Sequence, residues 1–231
     1  MVILCGGLAT RLRSLTKDTP KSMIQIKSKP FLEYQIEELK RHSITDIVLC
    51  VGYLSDQIEK YFGNGEKFGV NICYSSDKKS PLGPIGALKK AGSLLNDSFF
   101  TLYGDSYVFV DFNKVYSYFQ EQNKLALMVV YQNFDRYDTS NLIVKNGRVI
   151  RYGGQNTKDM TYVDYGVSLF RKKTLNNVPK DTFYSTNDLF SDLIKQKELL
   201  AFEVKKRFYH IGTPEALAEF KKYIETKKKR I

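Results

Sequence analysis

Met1-Val-Ile-Leu-Cys5-Gly6-Gly7-Leu-Ala-Thr10-Arg11-Leu-Arg13-Ser-Leu-Thr16-Lys17-Asp-Thr-Pro20-Lys21 is the stretch on which the reading of this chain turns. Residues 1–5 form a short apolar run of the kind that makes a buried strand. Two glycines follow at once, and without a Cβ the backbone can approach a ligand closely and aim its N–H groups at it. Thr10 adds a hydroxyl donor, Arg11, Arg13, Lys17 and Lys21 add positive charge, and Pro20 stiffens the approach to Lys21. A Gly-rich turn straight after a strand, lined by several fixed cations, is suited to a polyphosphate. It is neither a Walker A loop nor G-x-G-x-x-G.

Outward from this loop, short apolar runs alternate with helical patterns. The spacing predicts a helix over 31–42, a strand over 46–51, a helix over 54–62, a strand over 70–74, a helix over 86–95, a strand over 98–103, a helix over 113–122 and a strand over 124–131. This is the pattern of βαβ units and a mainly parallel sheet, in which ligands bind beyond the carboxyl ends of the strands. The residues just after Cys5, Val51 and Tyr103 are therefore the first candidates for a site. The second part changes character. A hairpin over 141–151 turns at Asn146-Gly147, a strand follows at 162–170, then a helix near 187–196, a strand over 199–204 and a final helix over 213–226 capped by Thr213 and Pro214. The chain reads as one domain over 1–231, with a nucleotide-binding half near 1–131 and a β-rich half with the C-terminal helix over 132–231.

Composition narrows the class. The 231 residues carry 36 Lys+Arg against 25 Asp+Glu, a net charge of +11. Residues 221–231 alone hold six basic side chains and one acidic one, so much of the excess is a terminal feature, a solvated helix end that the helix dipole also favours. Three cysteines, Cys5, Cys50 and Cys73, sit in apolar runs without metal-type spacing and read as buried, reduced thiols. With two histidines and no H-E-x-x-H, no zinc site is expected. No apolar run reaches the ~20 residues of a membrane span, and no signal peptide is visible. The expectation is a cytoplasmic protein without a membrane or nucleic-acid partner, with a homodimer as the default assembly.

The loop G-G-x-x-T-R-x-x-x-x-T-x-x-x-P-K, filled here by Gly6, Gly7, Thr10, Arg11, Thr16, Pro20 and Lys21, resembles the signature loop of the sugar-1-phosphate nucleotidyltransferases. The likeness continues through Lys29-Pro30-Phe31-Leu32, Pro81-Leu82-Gly83 with Gly86-Ala87, Tyr103-Gly104-Asp105, Asp164-Tyr165-Gly166 and Ile211-Gly212-Thr213-Pro214. It is strongest toward short bacterial members of the heptose 1-phosphate guanylyltransferase type. The resemblance implies a Rossmann-like three-layer α/β sandwich around a mainly parallel mixed sheet, the catalytic domain alone, without the family's optional left-handed β-helix. It also implies a reaction in which the phosphate of a sugar 1-phosphate attacks the α-phosphorus of an NTP, giving an NDP-sugar and pyrophosphate for surface glycan synthesis, with GTP and a heptose or hexose 1-phosphate as the best-matched pair.

In that scheme Arg11, Lys21 and Asp105 are catalytic. Arg11 holds the β- and γ-phosphates, Lys21 the α-phosphate and the incoming phosphate, and Asp105 binds Mg²⁺ or Mn²⁺. Leu4, Gly6, Gly7, Thr10, Arg11 and Gly83 bind the nucleotide. Asp164, Gly166 and Arg151 face the sugar phosphate. The chain departs from the family at three places. His210 stands where a second metal-binding carboxylate is usual and is the second candidate metal ligand. Gly153-Gly154 replaces a lysine-bearing stretch, with Arg151 and Lys158 as stand-ins, and Pro84-Ile85 alters the base loop. These departures keep two alternatives open: a cytidylyltransferase acting on a phospho-alcohol such as phosphocholine, and a non-catalytic nucleotide-binding homologue. A nucleic-acid-binding module would rest on the net charge and the basic tail alone, and no nucleic-acid-binding signature supports it.

Overall fold

The computed structural model of the protein describes residues 1–7, 12, 16–77, 80–155 and 157–228. In chain order the elements are β1 (Val2–Leu4), β2 (Gln25–Ile26), β3 (Lys29–Pro30), α1 (Phe31–Arg41), β4 (Asp46–Val51), α2 (Ser55–Phe62), β5 (Asn71–Ser76), α3 (Gly83–Lys90), β6 (Ser98–Tyr103), β7 (Ser106–Tyr107), α4 (Phe112–Gln122), β8 (Ala126–Gln132), β9 (Leu142–Lys145), β10 (Arg148–Tyr152), β11 (Tyr162–Arg171), α5 (Thr186–Lys195), β12 (Leu199–Val204), β13 (Tyr209–His210) and α6 (Pro214–Lys228). Nine strands form one sheet in the order β5-β4-β1-β6-β11-β8-β12-β10-β9. Its β5-β4-β1-β6 side is parallel, whereas β11 runs antiparallel to both β6 and β8. Because β11 is inserted between β6 and β8, the two halves of the sequence share one sheet.

The alternation of side chains along each strand builds two cores. Ile3, Leu49, Leu102, Leu127 and Val129 face α1, α2 and α4, where they meet Leu32, Ile36, Ile58, Phe62, Val115 and Phe119. Val2, Cys50, Met128 and Val130 face the other way and meet Ile85 and Leu88 of α3 and Leu189, Phe190 and Leu193 of α5. The result is the three-layer sandwich expected from the sequence. A third cluster joins α6 to the N-terminal region. Phe220 is fully buried and sits edge-on to Phe31 and Tyr34, with Leu12 and Ile24 in the same cluster. The caps behave as their chemistry requires: Thr213 Oγ1 accepts from Ala216 N, and Ser185 and Asp188 form a reciprocal capping box on α5. Asn146 and Gly147 both take positive φ, giving the two-residue hairpin turn.

Two expectations need correction. Of the three cysteines only Cys50 is buried; Cys5 is half-buried, and Cys73 is exposed on the edge strand β5, where it alternates with buried Ile72. The helix expected over 86–95 starts at Gly83 and gives way to a 3-10 turn at Ala91–Leu94. Pro84 at the first turn sets that start, where its missing N–H costs nothing.

Candidate active site

The parallel strand ends converge on one cavity of about 390 Å³. The Gly6-Gly7 turn after β1, Cys50 of β4, Asp77 after β5 and Gly104-Asp105 after β6 all line it. Another part of its wall is the loop and helix start with Pro81, Gly83, Pro84 and Ala87. Leu4 also faces it, while the Leu4 carbonyl accepts from Gly104 N at 3.0 Å and so locks the β1 and β6 ends together. A second, more polar cavity of about 450 Å³ adjoins it, lined among others by Asp138, Asn141, Tyr152, Asp164 and His210. Lys21, Tyr103 and Asp105 line both cavities. Among the described residues Lys21 is the one lysine or arginine lining either. Thr10 and Arg11, and Arg13 beside them, lie outside the described residues.

The junction is assembled from distant parts of the chain. After Pro20 a 3-10 turn at Lys21–Met23 sinks Ser22 and Met23 into the core and brings Lys21 across to the end of β6. There Lys21 Nζ pairs with Asp105 Oδ2 at 2.5 Å. The turn that carries Asp105 is held from α1: buried Gln35 donates from Nε2 to the carbonyls of Tyr103 and Ser106, at 2.9 and 2.6 Å. From the far end of the chain, β13 pairs with β7 so that His210 lies opposite Ser106, and Ile211 N donates to the Asp105 carbonyl at 2.9 Å.

His210 is not presented as a metal ligand. Its Nδ1 accepts from Gly212 N at 3.0 Å, which puts the ring proton of the neutral form on Nε2, 3.8 Å from Asp138 Oδ2. Burial lowers its pKa against the opposing pull of Asp138 and Asp105. An Nε2–H cannot donate a lone pair, so in this orientation His210 offers no lone pair to a metal ion.

Asp164 reaches the second cavity because β11 bulges. Asp164 pairs with Val130 but Ser168 with Met128, so extra residues, including Gly166, are accommodated between them. Gly166 itself is buried, and its N–H binds Asp164 Oδ1 at 2.8 Å, so it supports the carboxylate. Tyr103 donates its hydroxyl to Asp164 Oδ2 at 3.1 Å. Burial raises the Asp164 pKa to about 6, partly offset by the Gly166 N–H and the Tyr103 and Tyr152 hydroxyls. Because the folded-state pKa is raised, the stability associated with the protonated acid is complete near pH 4 and is lost as pH rises through about 6. The stability difference between Asp164→Asn and the parent protein should therefore move in favour of the variant by on the order of 2–3 kcal/mol between pH 4 and pH 8. Denaturant titrations at both pH values check this.

Arg151 does not reach either cavity. A bulge between Val149 and Arg151 turns Ile150 and Arg151 outward, and Arg151 binds the Gln155 carbonyl at 3.1 Å. The neighbouring Tyr152 is the residue that faces the second cavity. Lys158 is also exposed. Several site residues carried no sequence signal. Asp77 enters the first cavity with Oδ2 accepting from Leu82 N at 3.0 Å. Asp138 is aimed by a loop wound on buried Asn133, whose side chain binds the Asp138 carbonyl, Ser140 Oγ and Tyr137 N. Asn141, at the end of that loop, accepts from Asp164 N at 3.2 Å. Only a motif anchored on a neighbouring residue, such as Pro81-Leu82-Gly83 for Asp77, could have pointed to any of them.

Two adjoining chambers thus share one lysine–carboxylate pair at their border. The chain belongs to the nucleotidyl transferase family, whose model matches residues 1–227. It is 33% identical over 220 residues, 95% of this chain and 97% of the relative, to the D-glycero-alpha-D-manno-heptose 1-phosphate guanylyltransferase of Campylobacter jejuni. It is 31% identical, with 97% of each covered, to the enzyme of that name from Aneurinibacillus thermoaerophilus. The crystal structure of HddC from Yersinia pseudotuberculosis complexed with GMP-PN superposes with a TM-score of 0.81 at 26% identity, covering 96% of this chain and 98% of that one. Among the described residues no helix is long and apolar enough to cross a membrane.

Proposed function

We propose that the protein transfers the guanylyl group of GTP to the phosphate of a heptose or hexose 1-phosphate, releasing pyrophosphate and giving a GDP-sugar for surface glycan synthesis. The observation that carries this reading is the placing of Lys21 and Asp105 on the border between the two cavities. The nucleotide occupies the first cavity and the sugar 1-phosphate the second. An oxygen of the sugar phosphate attacks the α-phosphorus, the bond from that phosphorus to the bridging oxygen of the β-phosphate breaks, and pyrophosphate carries away the electron pair. Lys21 lies where both the α-phosphate and the incoming phosphate pass, so it neutralises charge that two anions bring together. Catalysis is positioning in two fixed chambers, with no covalent intermediate. Arg11, by resemblance, holds the departing pyrophosphate.

The junction fits a divalent cation of the Mg²⁺ type. Such an ion prefers one or two carboxylates completed by phosphate oxygens and water. Asp105 supplies a carboxylate on the path of the phosphates, and no group of three His, Cys, Asp or Glu among the described residues offers an all-protein cage. When bound, the ion would screen the triphosphate and fix its geometry.

Asp77 supports guanine. Guanine presents N1–H and N2–H₂ as adjacent donors, which a carboxylate accepts together, whereas the matching edges of uracil and cytosine carry acceptors that it repels. Asp77→Asn should cut the preference for GTP over UTP about tenfold to hundredfold, read as the ratio of kcat/KM values. The second cavity, with Asp138, Asp164, Asn141 and two tyrosine hydroxyls, suits a polyol. A second reading, transfer to a cationic phospho-alcohol, draws on the same two carboxylates and on the Tyr103, Tyr152 and Phe208 rings that share the cavity. Pyrophosphate release from each of four NTPs with heptose, mannose or glucose 1-phosphate, or with phosphocholine, tests both. Turnover with a sugar 1-phosphate is the expected result, and turnover with phosphocholine alone selects the second reading.

A further inference from the structure

Phe183 is the most exposed large hydrophobic side chain among the described residues, at 62% of its free surface, yet it lines the first cavity. The segment that carries it is firmly held. Tyr184 N donates to the Leu82 carbonyl at 2.8 Å, and the Tyr184 carbonyl accepts from Ile85 N at 3.1 Å and Gly86 N at 3.4 Å. The Ser185 capping box fixes the chain one residue later. Segment 182–185 is thus clipped along the base loop from outside.

The two glycines of the base loop permit this contact. A Cβ on Gly86 would lie 2.7 Å from the Thr182 carbonyl oxygen, and one on Gly83 would lie 2.8 Å from the Tyr184 carbonyl oxygen and 3.0 Å from the Phe183 ring. Gly83 also sits at φ +71°, where a side chain is strained. The ring lies close to Gly83, in a cavity that Pro84, Leu4 and Cys50 also line.

We infer that Phe183 is the stacking platform for the nucleobase: the base slides into the first cavity and covers the exposed ring. This rests on the proposed placing of the nucleotide there. An aromatic face binds any base, because every base has a π-face. Phe183 therefore supplies affinity, and Asp77 at the edge supplies selectivity.

The test is equilibrium binding of GTP, UTP and inorganic tripolyphosphate to the parent protein, Phe183→Ala and Phe183→Tyr. Truncating a ring this exposed leaves no buried void, and main-chain bonds hold the loop, so the variant retains the fold. The inference predicts that Phe183→Ala weakens GTP and UTP alike by about tenfold to hundredfold, leaves tripolyphosphate unchanged, and that Phe183→Tyr restores nucleotide affinity. Unchanged GTP affinity in Phe183→Ala would overturn it while leaving the placing of the nucleotide intact. An equal loss for tripolyphosphate would also overturn it, since the ring would then support the loop and not the base. A parent protein that binds no nucleotide would overturn the placing of the nucleotide and this inference with it.

Discussion

Lys21→Met is expected to lower kcat about 10²- to 10³-fold, and Asp105→Asn by at least a similar factor, while GTP still binds to both variants. Removing one preorganised charge-stabilising group from a reaction centre has effects of that size. Lys21 is held on Asp105 at 2.5 Å, so its ammonium is already at the border between the two cavities, where the proposed reaction brings the two phosphates together. Without it, two anions approach each other with less compensation. Without the Asp105 charge, Lys21 loses its anchor, and a divalent cation bound as proposed would lose its carboxylate. Because the two act as one unit, the double variant should lose much less than the product of the single losses. Steady-state rates for the four proteins at saturating GTP check this. Strictly multiplicative losses would mean that the pair does not work together.

The second large effect concerns stability. Gly104→Ala would place a Cβ 2.7 Å from the Leu4 carbonyl oxygen, 3.0 Å from Cys5 Sγ and 3.2 Å from Cys5 Cα. Two of these atoms are backbone at the end of β1, locked between β4 and β6, so neither can give way cheaply. The expected cost is about 3 kcal/mol, as for overpacking of a rigid interior. For a chain of this length that corresponds to a fall in Tm of about 6–12 °C. Activity should suffer beyond the loss of fold, since the same shift displaces Gly6 on one side and Asp105 on the other, and displacements near 1 Å cost ~100-fold. Thermal unfolding together with rates well below Tm separates the two effects.

Much of this architecture was legible because it is local. The βαβ alternation of the first half, the Asn146-Gly147 hairpin and the Thr213-Pro214 cap each follow from a few neighbouring residues. The Gly-rich turn after β1 and the Gly104-Asp105 strand end, singled out by the rule that ligands sit beyond parallel strand ends, line one cavity. What the sequence concealed depends on contacts between distant segments. Gln35, which holds the Asp105 turn, looks like any polar residue on α1. Asp77, Asp138 and Phe183 reach the two cavities only because β5, the loop wound on Asn133 and segment 182–185 are brought together there. Bulges defeat simple alternation as well. One turns Arg151 outward, against expectation, and another brings Asp164 inward. The role of His210 could not be read from residue type, because the tautomer is fixed by the Gly212 N–H two residues away.

The most direct test of the account is the identity of the products. Purified protein is incubated with GTP, D-glycero-alpha-D-manno-heptose 1-phosphate and Mg²⁺, and the reaction is followed by ³¹P NMR. The account predicts equal amounts of pyrophosphate and of a diphosphate in which two coupled phosphorus nuclei link guanosine to the sugar. GMP or GDP with an unchanged sugar phosphate would contradict it.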